Sequence, residues 1–127
     1  MNKDYRDRIV RMSGAAVQKC MRCGKCSATC PNYGSMEYHP HQFVYMVERG
    51  DVERLMASPS VYECLTCFAC VERCPRGVEP AKVIEAVRLE AVRQKGMNYF
   101  KPDDIPAQLD DDLPGQALVT ALRKFAK

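Results

Sequence analysis

The sequence predicts a mainly α fold in which two cysteine-rich loops are held between helices, followed by a C-terminal extension. Three observations carry that expectation. Apolar residues recur at helical spacing between helix-start and helix-stop residues. Runs of β-branched residues bounded by turns, the mark of strands, are missing. Eight cysteines fall in two stretches, CMRCGKCSATCP and CLTCFACVERCP, that match each other position by position.

The pairing is an internal repeat. Cys20, Cys23, Cys26, Cys30 and Pro31 recur as Cys64, Cys67, Cys70, Cys74 and Pro75, each 44 residues later. Two copies imply a pseudo-twofold unit, since a stacked solenoid needs three or more. Between the copies, Pro40 marks a helix start, Phe43, Val44 and Val47 give an apolar face, and Gly50 marks its stop. A second short helix is expected from Asp51 as N-cap through Leu55 and Met56, and a third from Ser58 with Pro59 in its first turn. Met46 and Met56 are expected in the core.

After the second motif, EPAKVIEAVRLEAVRQKG opens with Pro80, places Val83, Ile84, Val87 and Ala91 on one face and ends at Gly96. The segment MNYFKPDDIPAQLDDDLPG, with three prolines and five aspartates, reads as an extended linker. GQALVTALRKFAK then forms a terminal helix with Leu118, Ala121, Leu122 and Phe125 on one stripe. The expected division is 1-96 for the cysteine-bearing domain and 97-127 for a linker and helix that dock on a partner.

Length and composition bound the function. At 127 residues, with 46% hydrophobic and 28% charged residues, the chain is of one-domain size. No window approaches the ~20 apolar residues of a membrane-spanning helix, and the opening MNKDYRDRIVRM is too charged for a signal peptide. The expected compartment is therefore the cytoplasm, whose reducing conditions leave cysteines free to bind metal.

The spacing narrows the choice of metal. In C-x2-C-x2-C, three thiolates from one tight loop reach three corners of an iron–sulfur cube, and in two-cluster proteins the fourth cysteine ligates the other cube. The expected ligands are Cys20, Cys23, Cys26 and Cys74 for one [4Fe-4S] cluster, and Cys64, Cys67, Cys70 and Cys30 for the other. Structural zinc is the competing reading, but four-cysteine zinc sites usually join two C-x2-4-C knuckles across a longer gap. Two clusters at about −2 each turn the formal +3 into about −1, which argues against a nucleic-acid surface.

Other residues are candidates to tune such a site. His39 and His41 flank Pro40, and Arg22, Lys25, Arg73 and Arg76 lie in or beside the loops. Positive charge there raises a cluster's potential. Phe68, Tyr33 and Tyr62 are candidates to shield it from water. No GxGxxG or P-loop indicates a nucleotide or flavin site, and with every cysteine used as a ligand none is left as a nucleophile. No catalytic residue is expected; the chain reads as an electron relay.

CGKCSATCP, CLTCFACVERCPRGV, the helical segment between them and the helix that follows resemble the α-helical ferredoxin domain over roughly Val10 to Gly96. More narrowly, the pattern is similar to the C-subunit family of heterodisulfide reductases. The iron–sulfur subunit of succinate dehydrogenase has a similar domain preceded by a [2Fe-2S] domain, but only nineteen residues precede Cys20 here. Glycolate-oxidase-type subunits add CCG repeats, which this sequence lacks. The resemblance implies a non-catalytic subunit of an oxidoreductase, relaying electrons from a flavin-containing A-type subunit to a CCG-bearing B-type subunit that reduces a disulfide. A freely diffusing ferredoxin, the iron–sulfur subunit of another respiratory oxidoreductase and a zinc-stabilised adaptor are the alternatives.

Overall fold

The computed structural model describes residues 2–93 and 110–123. Among them are eight α-helices and one 3-10 turn, and no strand. The chain divides into two compact units, Met1–Lys95 and Gly96–Lys127.

The first unit is built around α7 (Pro80–Val92), which packs against α1 (Lys3–Ser13), α3 (Pro40–Arg49), α4 (Val52–Ala57), α5 (Ser60–Glu63) and α6 (Ala69–Arg73). Its position follows from its sequence. Pro80 supplies a first turn that needs no N–H, and Val83, Ile84, Ala86 and Val87 are all buried. The expected end at Gly96 lies outside the described residues, and the described helix closes at Val92.

α3 matches its signals closely. Pro40 is its first residue, the backbone N–H of His39 donates to Gln42 Oε1 at 2.8 Å, and Phe43, Val44, Met46 and Val47 are buried. Gly50 ends it at φ 87, a left-handed cap that disfavours a side chain, with the Asn2 backbone 3.6 Å from where a Cβ would sit. α4 follows from Asp51, with Leu55 buried and Met56 packed against the core.

α5 departs from expectation by two residues, beginning at Ser60 instead of Ser58. Ser58 precedes a proline, whose ring drives it to extended geometry (φ −82, ψ 142). There its hydroxyl donates to Glu37 Oε2 at 2.6 Å and its Oγ accepts from the Ser60 N–H at 3.3 Å.

α1 is a helix the sequence reading did not anticipate. Asn2 caps it, accepting the Asp4 N–H at 3.1 Å, and Gly14 closes it at φ 64. It buries only Ile9 fully, with Tyr5 and Val10 partly covered, and it is held to α7 by Arg8, whose Nη2 meets Glu90 Oε1 at 2.6 Å.

In the second unit, α8 (Gly115–Leu122) includes Leu118 and Leu122. Phe125, the side chain of Ala121 and most of the expected linker lie outside the described residues.

Candidate metal centre

The two cysteine loops have the same backbone. A 3-10 turn at Val17–Lys19 leads into the first and α5 into the second. Cys20 and Cys64 then share φ −64 and ψ 121. Two left-handed residues follow in each, Arg22 (φ 58) and Gly24 (φ 75) in one, Thr66 (φ 54) and Phe68 (φ 62) in the other. Those reversals fold each C-x2-C-x2-C into a tight loop, and a short helix then starts at the equivalent residue, α2 at Lys25 (Lys25–Ala28) and α6 at Ala69. Exposure also matches: Cys23 and Cys67 are exposed, Cys26 and Cys70 buried, and the remaining four half-buried.

α2 and α6 pack side by side, and the cysteine that follows each lies beside the opposite loop. One cavity is lined by Cys20, Cys23, Cys26 and Cys74, the other by Cys64, Cys67, Cys70 and Cys30. Each encloses about 350 Å³ not filled by atoms, counting solvent at its mouth. None of the eight thiols is in a disulfide. Among the described residues no three Cys, His, Asp or Glu side chains converge as the ligands of a single ion would. Four thiols spaced around a volume fit a polynuclear cluster better than a lone zinc.

The buried thiols favour their protonated form when no metal holds them. Burial pushes the Cys70 thiol up to about 11, with Cys64 adding to the effect, and burial likewise raises Cys26. Thiolates at such positions need a cation to compensate their desolvation.

The tuning candidates scatter. His41 and Arg76 line the first cavity, and Phe68 lines the second. His41 Nδ1 is 2.6 Å from Ser27 Oγ, which also accepts the His41 backbone N–H at 3.1 Å. Burial, with His39 nearby, lowers the His41 pKa and favours its neutral form. His39 stacks on Tyr33, ring centroids 3.8 Å apart, and lines neither cavity. Tyr62 is exposed, Arg22 lies over the Tyr45 ring at 4.3 Å, and Lys25 and Arg73 line an open groove shared with Glu72.

Sequence reasoning missed Arg88. From α7 its guanidinium donates to the carbonyls of Val61 at 2.5 Å and Cys64 at 2.8 Å, tying the entry of the second loop to the central helix. Its place beside buried Val87 gave no signal, because an arginine on a helix usually faces water.

Residues 16–78, which carry both loops, match the family described as 4Fe-4S dicluster domain. This part of the chain is a 4Fe-4S dicluster domain. Its cofactors are two [4Fe-4S] clusters, and eight cysteines are present in its two loops.

Among curated proteins, the domain and its flanks are similar to C subunits of heterodisulfide reductases. The C subunit of the H(2):CoB-CoM heterodisulfide,ferredoxin reductase of Methanothermobacter thermautotrophicus is 29% identical over 93 residues, covering 73% of this chain and 50% of that protein. The iron-sulfur C subunit of the CoB--CoM heterodisulfide reductase of Methanopyrus kandleri is 33% identical over 79 residues, covering 62% and 41%. The C2 subunit of the H(2)/formate:CoB-CoM heterodisulfide,ferredoxin reductase of Methanococcus maripaludis is 32% identical over 93 residues, covering 73% and 49%. The aligned region thus spans about half the length of these relatives or less. Among the described residues of the dicluster protein, no helix is long and apolar enough to cross a membrane.

Proposed function

We propose that this chain is the electron-transfer subunit of a heterodisulfide reductase-type complex in the cytoplasm, itself without a catalytic residue. It would take electrons from a flavin-containing A-type subunit and deliver them to a CCG-bearing B-type subunit that reduces a disulfide. The observation that carries the reading is the pair of four-thiol cavities, one per repeat, each completed by a cysteine of the other repeat. The similarity to C subunits of heterodisulfide reductases supports it.

The linings support these ligand sets: Cys20, Cys23, Cys26 and Cys74 for one cluster, and Cys64, Cys67, Cys70 and Cys30 for the other. Each cluster, when bound, accepts and releases a single electron. The protein's part is to fix both clusters close together, where α2 and α6 touch, and to keep their ligands rigid. Cys26 and Cys70 do this from the buried side, while Cys23 and Cys67 lie at the surface, where a partner's redox group can approach. Residues 97-127 serve as the docking tail in this reading.

Anaerobic isolation from native cells tests it. The expected result is about eight irons and eight sulfides per chain, paramagnetic signals on reduction, and co-purification with a flavoprotein and a CCG-bearing subunit. A colourless protein with two zincs, or an iron–sulfur protein that purifies alone at physiological salt, would refute it.

A further inference from the structure

The two cavities match in backbone and differ in what surrounds the sulfurs. Residue by residue across the repeat, Arg76 at the first cavity stands where the second has Asn32. Asn32 donates its amide N–H to the Glu63 carbonyl at 2.6 Å and Arg76 its Nε–H to the equivalent Lys19 carbonyl at 3.3 Å, so the two side chains hold the same place and differ in charge. At the first cavity the Arg22 N–H donates to Cys20 Sγ at 3.4 Å and the Val78 N–H to Cys74 Sγ at 3.3 Å. At the second cavity one backbone group, that of Ala81, bonds a thiol, Cys70. There the Cys30 thiol meets only the Met36 sulfur, at 3.9 Å.

Both walls are largely apolar, with Met21, Val44 and Val78 at the first cavity and Leu65, Met36 and Ile84 at the second. The first adds His41, held by Ser27, and the second adds the Phe68 ring. Phe68 is at the left-handed position that Gly24 fills in the first loop (φ 62 against 75). A side chain there is disfavoured by its clash with the following carbonyl, so the second loop tolerates strain that a glycine would remove. What the strain secures is an aromatic wall.

Resting on the two-cluster reading above, we propose that the sites are electronically unequal: the cluster at Cys20, Cys23, Cys26 and Cys74 is the higher-potential one, and Arg76 is a positioning residue for that potential. Reduction adds one electron to a centre that is already about −2 and breaks no bond. The Arg76 guanidinium lines the first cavity and, with the two N–H···S hydrogen bonds there, stabilises the added charge; Arg88 reaches the Cys64 carbonyl from behind the second loop without lining its cavity, and the Phe68 ring stands there in place of Gly24. Electrons entering at the second cavity therefore run downhill to the first, which gives the chain a built-in direction.

The test is a dithionite redox titration of the anaerobically purified holoprotein, followed by electron paramagnetic resonance. Cys23→Ser and Cys67→Ser, each at an exposed ligand of one cavity, assign the two signals. The expected result is two resolved midpoints, with the higher belonging to the signal altered by Cys23→Ser. Arg76→Asn should lower that midpoint alone, by up to a tenfold change in the oxidised-to-reduced ratio, which is ~59 mV for one electron. Arg76→Lys should restore it, and because Arg76 is exposed the shift should shrink at high salt.

A higher midpoint for the Cys67→Ser-sensitive signal, or an Arg76→Asn variant that moves neither midpoint or both equally, would overturn the inequality while leaving the two clusters standing. A protein with eight irons but one unresolved midpoint would also overturn it. Absence of iron would overturn both proposals, and the metal analysis made before titration distinguishes that case.

Discussion

Replacing Arg88 with methionine keeps most of the aliphatic stem packed on α7 and deletes the guanidinium. Two charge-assisted hydrogen bonds are lost, to the Val61 and Cys64 carbonyls, and a longer approach of 3.5 Å to Thr66 Oγ1 goes with them. Bonds to charged groups contribute ~1.5–3 kcal/mol each. Arg88 is half-buried, so water can reach the vacated carbonyls, which reduces the sum to about 3 kcal/mol. Both bonds hold the entry of the second loop and neither touches the first. At 1.4 kcal/mol per factor of ten, the open population of the second loop should rise about a hundredfold. Anaerobic iron release to a chromogenic chelator reads this directly, because release through a rapidly closing open state follows its population. About half of the iron should leave roughly a hundred times faster, with the remainder near the wild-type rate. A single release phase, or wild-type rates for all eight irons, would refute the reasoning.

Three further outcomes are expected. Cys30→Ala should remove the cluster of the second loop although Cys30 follows the first, so iron falls to about four per chain and the signal sensitive to Cys67→Ser disappears; Cys74→Ala should do the reverse, and loss of the same-loop signal in either case would contradict the crossed ligation. Arg8→Met leaves Glu90, only 5% exposed at its side chain, without its partner. Because the arginine is itself 44% exposed, the cost should be about 2–3 kcal/mol, below the range for fully buried pairs, and should be read as bleaching of the cluster absorbance at lower urea. Deleting residues 114 to 127 should weaken co-purification with partner subunits and leave the iron content unchanged, whereas loss of iron would place that helix in the domain.

The helices of the first unit were legible wherever punctuation and periodicity agreed. Pro40 with Gly50, and Pro80 with Val83, Ile84 and Val87, fix start, stop and face by local chemistry alone. α5 was placed two residues early because the Ser58 hydroxyl is engaged by Glu37, 21 residues away, and the proline ring excludes helical geometry at Ser58. α1 was illegible because a helix that buries one side chain fully writes almost no apolar period; its anchors, Glu90 on α7 and the Gly50 carbonyl that accepts the Asn2 N–H at 3.2 Å, come from distant sequence. At the site the cysteines announced themselves by spacing. Arg88 and Ser27 did not, since their roles depend on which carbonyl or imidazole the fold brings within reach. Of the two histidines flanking Pro40, only the structure separates His41, at a cavity, from His39, stacked on Tyr33.

Because Cys30 lies against the second loop and Cys74 against the first, neither repeat holds a complete container by itself. A ribosome that has released only the first copy has made three walls of one vessel and the fourth wall of another. On the crossed ligation proposed above, maturation must wait for the distal cysteines, and the two halves cannot be inherited, exchanged or separately expressed as working pieces. The 44-residue doubling reads as a duplication that became irreversible once the halves began to share their last thiol.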